Sequence, residues 1–187
     1  VYWYFHKWRT EGYLNHCIEK LVMKIRRQRK QSATPSVMAL DAQSVKWGNR
    51  QSDNGFDANK KVKGIKRNIA VDRNGFILGR YVSSAGIHDS RLASPVCEQV
   101  SDAWPSVRKG LVDRGYRGEL IENIKRDFNI DIEVCSTPKP LRWVVERTFS
   151  WLDGFRRLAR NYEISAASAE EMIDFATVKL LLNHVEH

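Results

Sequence analysis

Three features of the sequence predict an α/β fold, a mixed sheet flanked by helices behind a short helical lead-in. Short apolar runs bounded by turn residues alternate with segments of helical spacing. Two of the apolar runs flank Asp72-Arg73-Asn74-Gly75, a hairpin signature. Two others, "ALD" and "LVD", each close on an aspartate, where sheets of this class place ligands, beyond the carboxyl ends of their strands.

The elements follow in order. Residues 2 to 9, "YWYFHKWR", read as an aromatic helix broken near Gly12. Leu14, Ile18, Leu21, Val22 and Ile25 then recur at helical spacing. These two segments form a lead-in over 1–31, and the main domain spans 37–187. After the linker "QSATPS", the run "VMALDAQSV" is a strand with Asp41 at its end. The polar, Gly/Asn-rich "KWGNRQSDNGFDANKKVKG" reads as a loop. The hairpin "RNIAVDRNGFILGRYV" comes next, then a helix around "HDSRLASPVCEQV", with Pro95 near its start. "VRKGLVDRGYRG" holds a strand that closes on Asp113. A helix over 119–128 leads to the strand "IDIEV" and then to "LRWVVERTFSWLDGFRRLAR", residues 141–160. The last helix starts at Ser168, which with Glu171 makes a capping-box pattern.

Composition narrows the function. The chain of 187 residues, 42% hydrophobic, is long enough to bury a core. No apolar run approaches the roughly 18 residues of a membrane helix, and "VYWYFHKWRTEGY" lacks the apolar centre of a signal peptide. Cys17, Cys97 and Cys135 are scattered, which disfavours a disulfide framework or zinc ribbon and fits a reducing cytoplasm. The net charge of +9 is clustered, with five basic residues in "KIRRQRK" (24–30) and five in "KKVKGIKR" (60–67). Two such runs point to a polyanion, nucleic acid above all.

The 141–160 segment sharpens that reading. Val144, Trp151, Leu152, Phe155 and Leu158 share one side of a helix. On the other, Glu146 projects within about 40° of Arg142 and Arg157. If the strands that carry Asp41 and Asp113 are parallel neighbours, their carboxylates converge. Carboxylates held together repel unless a cation lies between them, and hard oxygen donors favour magnesium or manganese. Two such ions roughly 4 Å apart can clamp both oxygens of an in-line phosphoryl transfer. Spacing alone does not separate this trio from acids that merely cap turns.

The segments "VYWYFHKWR", "LDAQSVK", "GFDANKKVKGIKRNIAVD", "LVDRGYRG" and "RWVVERTFSWLDGFRRLARNYE" resemble the DDE transposases of bacterial insertion sequences, of the insertion sequence five and four type. The resemblance runs from Val1 almost to the C-terminus. It implies an RNase H-like catalytic domain with Asp41 on the first strand, Asp113 on a later strand and Glu146 on a helix. These three would be catalytic and would bind two Mg²⁺, or Mn²⁺. The activity implied is cleavage of a phosphodiester at a transposon end, followed by attack of the freed 3′-hydroxyl on target DNA. Double-stranded DNA and a homodimer assembled on it are the implied partners. Arg142 and Glu146 match the R-x-x-x-E core of the family signature. The outer Tyr and Lys of that signature are replaced by Lys139 and Asp153, with Arg156 and Arg157 nearby as substitute phosphate contacts. Relatives carry an N-terminal DNA-binding segment ahead of the "VYWYF" motif, with which this sequence begins, and the connector "CSTPKP" is short for the family.

Lys60, Lys61, Lys63, Lys66 and Arg67 are expected to track a DNA backbone. Asp57 beside them is expected to hold a turn or salt bridge. Gln43, Ser44, Lys46 and His88 are candidates for support around the metal by position. Trp143 is expected half-buried on the helix, although it could stack on a base, and Trp151 is expected in the core. Two other readings compete: a basic DNA-binding protein with this fold and no turnover, and a plain metal-dependent nuclease.

Overall fold

A computed structural model describes residues 2–48, 55–135 and 140–185. Most of the "CSTPKP" connector, with Lys139, and residues 49–54 of the polar segment lie outside these. The chain opens with helices α1 (Tyr2–Thr10) and α2 (Tyr13–Gln28), separated at Gly12, whose φ of 66° is left-handed. Strands β1 (Val37–Lys46), β2 (Gly55–Asp57), β3 (Val62–Val71) and β4 (Ile77–Ser84) follow. A 3-10 turn (Asp89–Leu92), α3 (Ala93–Ala103), β5 (Lys109–Val112), α4 (Glu119–Phe128), β6 (Asp131–Val134), α5 (Pro140–Asp153) and α6 (Ala166–Leu182) complete it.

The strands form one mixed sheet in the order β2-β3-β1-β5-β6, with β4 also paired to β3. β1 is antiparallel to β3 and parallel to β5, and β5 is parallel to β6. The first strand carries Asp41, the later strand β5 stops before Asp113, and α5 carries Glu146, the placement that the resemblance implies. Residues on alternate sides of each strand feed two apolar layers. One joins Met38 and Leu40 to Ile18, Val22 and Ile25 of α2 and to Val96 and Val100 of α3. The other joins Ala39, Val45, Ile65 and Ile69 to Val145 and Leu152 of α5 and Ile173 of α6. The α2 segment therefore shares the core of the main body.

The β3–β4 hairpin forms as expected. The Asp72 carboxylate accepts the Asn74 and Phe76 N–H groups at 2.8 and 3.0 Å and Gly75 takes a φ of 87°. That carboxylate also pairs with buried Arg26, whose Nε donates to the Ser32 carbonyl at 2.7 Å. One member of the 24–30 basic run is thus a core residue and meets no polyanion.

Four expectations are corrected. The polar segment contains β2, three residues long and paired to 62–64, too short for an alternating pattern to mark it. Asp41 is within β1 and does not end it, because antiparallel pairing with β3 carries the strand on to Lys46. The final helix starts at Ala166, and Ser165 is its cap: the Ser165 Oγ accepts the Ser168 N–H at 3.1 Å. Helix α5 stops at Asp153, ahead of Gly154 and a series of turns, because the chain folds back to pair beside β1: Asn161 N–H donates to the Lys46 carbonyl at 2.9 Å and Gly48 N–H to the Asn161 carbonyl at 2.7 Å.

Candidate active site

The site is built where β1 outruns β5. The parallel register pairs Ala39 with Leu111 and goes no further, so two residues on, Asp41 and Asp113 stand level. Both lie on the same side of adjacent strands about 4.8 Å apart. Ala39 and Val45 belong to the layer under α5 and α6, and alternation gives Asp41 and Gln43 that same face. Each aspartate is held by a backbone donor near its strand: Ala42 N–H to Asp41 Oδ1 at 2.7 Å, and Gly115 N–H to Asp113 Oδ1 at 2.9 Å.

Asp41 is raised from its ordinary 3.8 to about 6. Burial is the largest cause and the charge of Asp113 adds to it, against the Ala42 N–H, Arg142 and Lys60, which pull it down. Two carboxylates here carry more negative charge than their surroundings neutralise. The Lys60 ammonium lies alongside, donating to the Ala42 carbonyl at 2.9 Å.

Glu146 does not join the pair. Its side chain is 51% exposed, and Oε1 accepts from Arg142 one helical turn earlier at 3.3 Å. Among the described residues, no three acidic, histidine or cysteine side chains are grouped closely enough to hold a metal ion. The expected three-carboxylate pocket is, in this arrangement, two aspartates with Arg142 and Lys60. Coulombic repulsion accounts for it: with no cation in place, a third carboxylate is more stable on an arginine than beside two others. The pair still fits a hard divalent cation, since hard oxygens with surplus negative charge are its preferred donors. One Arg142 guanidinium nitrogen, Nη1, is buried and without a hydrogen-bond partner.

The expected phosphate contacts divide. Lys60, Lys61 and Lys63 are exposed, and the Lys63 ammonium rests over the Trp47 ring at 5.0 Å. Lys66 and Arg67 are 4% and 1% exposed and offer a DNA backbone no surface. Lys66 pairs with Asp89 at 2.6 Å and Asp57 at 3.5 Å; Arg67 donates to the Leu158 carbonyl and pairs with Asp153 at 3.8 Å. Both sit in the middle of a sheet covered on two sides, where a cation persists only when paired. Arg156 and Arg157 are exposed, but α5 ends before them, so Arg157 is not on the Glu146 face and instead meets Glu163 at 2.6 Å.

Asp57 does hold a turn, accepting the Asn59 and Lys60 N–H groups at 3.0 Å and the Ser44 hydroxyl at 2.5 Å. Gln43 Nε2 donates to Asp153 at 2.7 Å, so the aspartate that replaces the family lysine is a partner for Gln43 and Arg67. Lys46 is exposed at the end of β1, and His88 is exposed just before Asp89. Trp143 is 55% exposed, close to the half-buried placement expected. Trp151 is only partly buried, with Arg147 over its ring at 4.6 Å and His184 at 6.1 Å. Sequence reading missed the Lys66–Asp89 and Arg67–Asp153 pairs; the one available signal was that each cation lies inside an apolar strand.

A mixed sheet thus carries two aspartates level with one another on adjacent strands, with a nearby helix that bears an arginine and a glutamate. Residues 32–177 match the model of the family described as Transposase DDE domain, and the chain belongs to that family. It is 30% identical over 134 residues to a Burkholderia cepacia protein assigned as a transposase for insertion sequence element IS402, covering 64% of this chain and 63% of that protein. The chain therefore spans less than two thirds of this relative. Among solved structures, the catalytic core domain of BIV integrase superposes with a TM-score of 0.49 at 16% identity, covering 74% of this chain and 81% of that one. Families of this kind use divalent metal ions. Among the described residues, no helix is long and apolar enough to cross a membrane.

Proposed function

We propose that the chain is the catalytic part of a transposase that cleaves DNA at insertion-sequence ends and joins the freed 3′-hydroxyl to a target, with Mg²⁺ or Mn²⁺ as cofactor. The observation that carries this reading is the level placement of Asp41 and Asp113, with Asp41 raised to about 6. In this reading Asp41 and Asp113 ionise fully and hold the cations from the sheet side. Glu146 completes the set from α5 by leaving Arg142, whose guanidinium then turns to the phosphate of the scissile bond. A divalent ion, when held by these carboxylates, would supply Lewis-acid stabilisation of developing negative charge. The protein's own contribution is positioning: the Ala42 and Gly115 N–H groups fix the two carboxylates before substrate arrives. Lys60, Lys61 and Lys63 line the approach for the DNA backbone, with Arg156 and Arg157 on the surface past α5. We read 1–31 as a helical lead-in docked on the catalytic domain, 37–187. The working form is a homodimer on DNA in the cytoplasm, at the nucleoid when bound.

Incubation with supercoiled plasmid and Mg²⁺ tests this. The wild-type chain nicks and joins DNA, whereas Asp113→Asn abolishes cutting and keeps DNA affinity within a few-fold of wild type. Normal cutting by this variant would remove Asp113 from the chemistry. Salt-sensitive binding with no cutting by wild type would favour the DNA-binding protein without turnover, to which the Glu146–Arg142 contact also gives weight. Cutting without joining would favour the plain nuclease.

A further inference from the structure

Two arginines and a histidine from three separate elements meet at the turn of the β3–β4 hairpin. Arg29 comes from the end of α2, Arg147 from α5, one residue past Glu146, and His184 from just beyond α6. Arg29 Nη1 donates to Asn74 Oδ1 at 3.2 Å, and Arg147 Nη2 to the Asn74 carbonyl at 2.8 Å. Arg29 Nη2 lies 3.2 Å from His184 Nδ1. Aromatic rings hold the set in place. Arg29 stands over Phe76 at 5.2 Å and Arg147 over Trp151 at 4.6 Å, and the His184 ring is 5.6 and 6.1 Å from those two rings.

Stacking stabilises each guanidinium but leaves its charge uncompensated, and cations gathered in one place repel unless an anion lies among them. Among the described residues, neither Arg29 nor Arg147 is paired with a carboxylate. Asp72, in the same turn, is taken up by Arg26 and by the Asn74 and Phe76 N–H groups. The carboxyl end of α6 offers only about half a negative charge against two full positive ones. The histidine adds to the demand. A guanidinium only donates, so His184 Nδ1 accepts from Arg29, and the ring is neutral with its proton on Nε2. Burial, then Arg29 and Arg147, hold its pKa below the ordinary 6.5. Arg29 is exposed, so an anion from solvent reaches the cluster. Lys30 and Arg73, both exposed, line a cleft beside the same turn. A positive surface extended in this way suits a chain of phosphates better than a single one.

We propose that Arg29, Arg147 and His184 form a binding site for a phosphate of the DNA backbone, at the hairpin turn and apart from the aspartate pair. The phosphate accepts from Arg29, and the imidazole, released from that arginine, takes up a proton from solvent and becomes the third cation. Binding of DNA is thereby coupled to protonation of His184. This rests on the reading of the chain as a domain that acts on DNA, and it extends the DNA path to a second face of α5.

Two measurements test it. The His184 ring signal, identified by its loss in His184→Gln, is titrated by NMR in the wild-type protein, free and saturated with a DNA duplex. DNA is expected to raise the pKa of His184 by about one unit. Fluorescence anisotropy across a salt series is expected to show weaker binding by Arg29→Gln, with the slope against log salt flattened by about 0.9. A His184 titration that DNA leaves unmoved would overturn the proposal. A response to inorganic phosphate at equal phosphate concentration, with none to DNA, would overturn the assignment to the DNA backbone. If wild type binds DNA and Arg29→Gln keeps the wild-type slope, this site alone fails. If wild type binds no DNA, the reading of the chain as a DNA-processing domain fails and takes this site with it.

Discussion

Replacing Asp41 with asparagine should make the metal-free protein more stable, although it removes a residue assigned to catalysis. The shift from 3.8 to about 6 means that the folded state holds this proton more tightly than the unfolded chain does. Above about pH 6, ionised Asp41 therefore destabilises the fold. Two pK units correspond to about 3 kcal/mol; partial solvent exposure reduces this to about 1–2 kcal/mol. Asparagine keeps the oxygen that accepts the Ala42 N–H and carries no charge to repel Asp113. For a chain of this length each kcal/mol moves Tm by about 2–4 °C, so the gain is about 2–8 °C at about pH 8. The sign is set by the raised pKa: the wild-type penalty is full above about 6, falls to roughly half near pH 5 and vanishes below the ordinary 3.8. Circular dichroism melts of both proteins in EDTA, at about pH 8 and pH 5, measure it. Excess MgCl₂ should then raise the Tm of wild type and leave Asp41→Asn unchanged, since only the wild-type folded state binds the ion. An Asp41→Asn protein that melts at or below wild type at about pH 8 would refute the claim that the two aspartates repel across the adjacent strands.

The other predictions concern the basic surface and the turn behind it. Changing Lys60, Lys61 and Lys63 together to Ala should weaken DNA binding and flatten its dependence on log salt by about 0.9 per lost phosphate contact; fluorescence anisotropy across a salt series reads this, and an unchanged slope would take these lysines off the DNA path. Burial alone would push Asp57 up, but the Ser44 hydroxyl, the Lys60 N–H and the Lys66 ammonium outweigh it and hold it down at about 2. Its stabilising contribution is thus full above the ordinary 3.8 and lost as pH falls through about 2. Asp57→Asn should cost about 1–2 kcal/mol at neutral pH, read by urea denaturation, and an equal midpoint would mean that the Lys66 pairing does not hold this turn.

Local chemistry made much of this legible in the sequence. The hairpin could be read because Asp72-Arg73-Asn74-Gly75 carries its own turn, and α4 because Glu119–Phe128 has a strong apolar stripe. Asp113 could be placed at a strand end because "GLV" is short and apolar and a turn follows it at once. The misreadings share one cause, which is that they depended on what packs opposite. Lys66 and Arg67 look like a basic run, yet they point to opposite sides of one strand, each toward an acid from a distant segment: Asp89 and Asp153. Arg157 follows helical spacing from Glu146, but backbone pairing at Asn161 ends the helix first.

What the sequence determined by itself was the order of the elements, the short β2 excepted, and the residues proposed for the site, because turn residues, apolar periodicity and the R-x-x-x-E spacing act over a few residues. The tertiary structure decided which charges remain free. The β1–β5 register sets Asp41 level with Asp113, the covered sheet withdraws Lys66 and Arg67 from solvent, and Arg142 holds Glu146 away from the pair. Burial and Coulomb interactions depend on distance through space, and residues 41, 113 and 146 become neighbours, or fail to, only once the chain has folded.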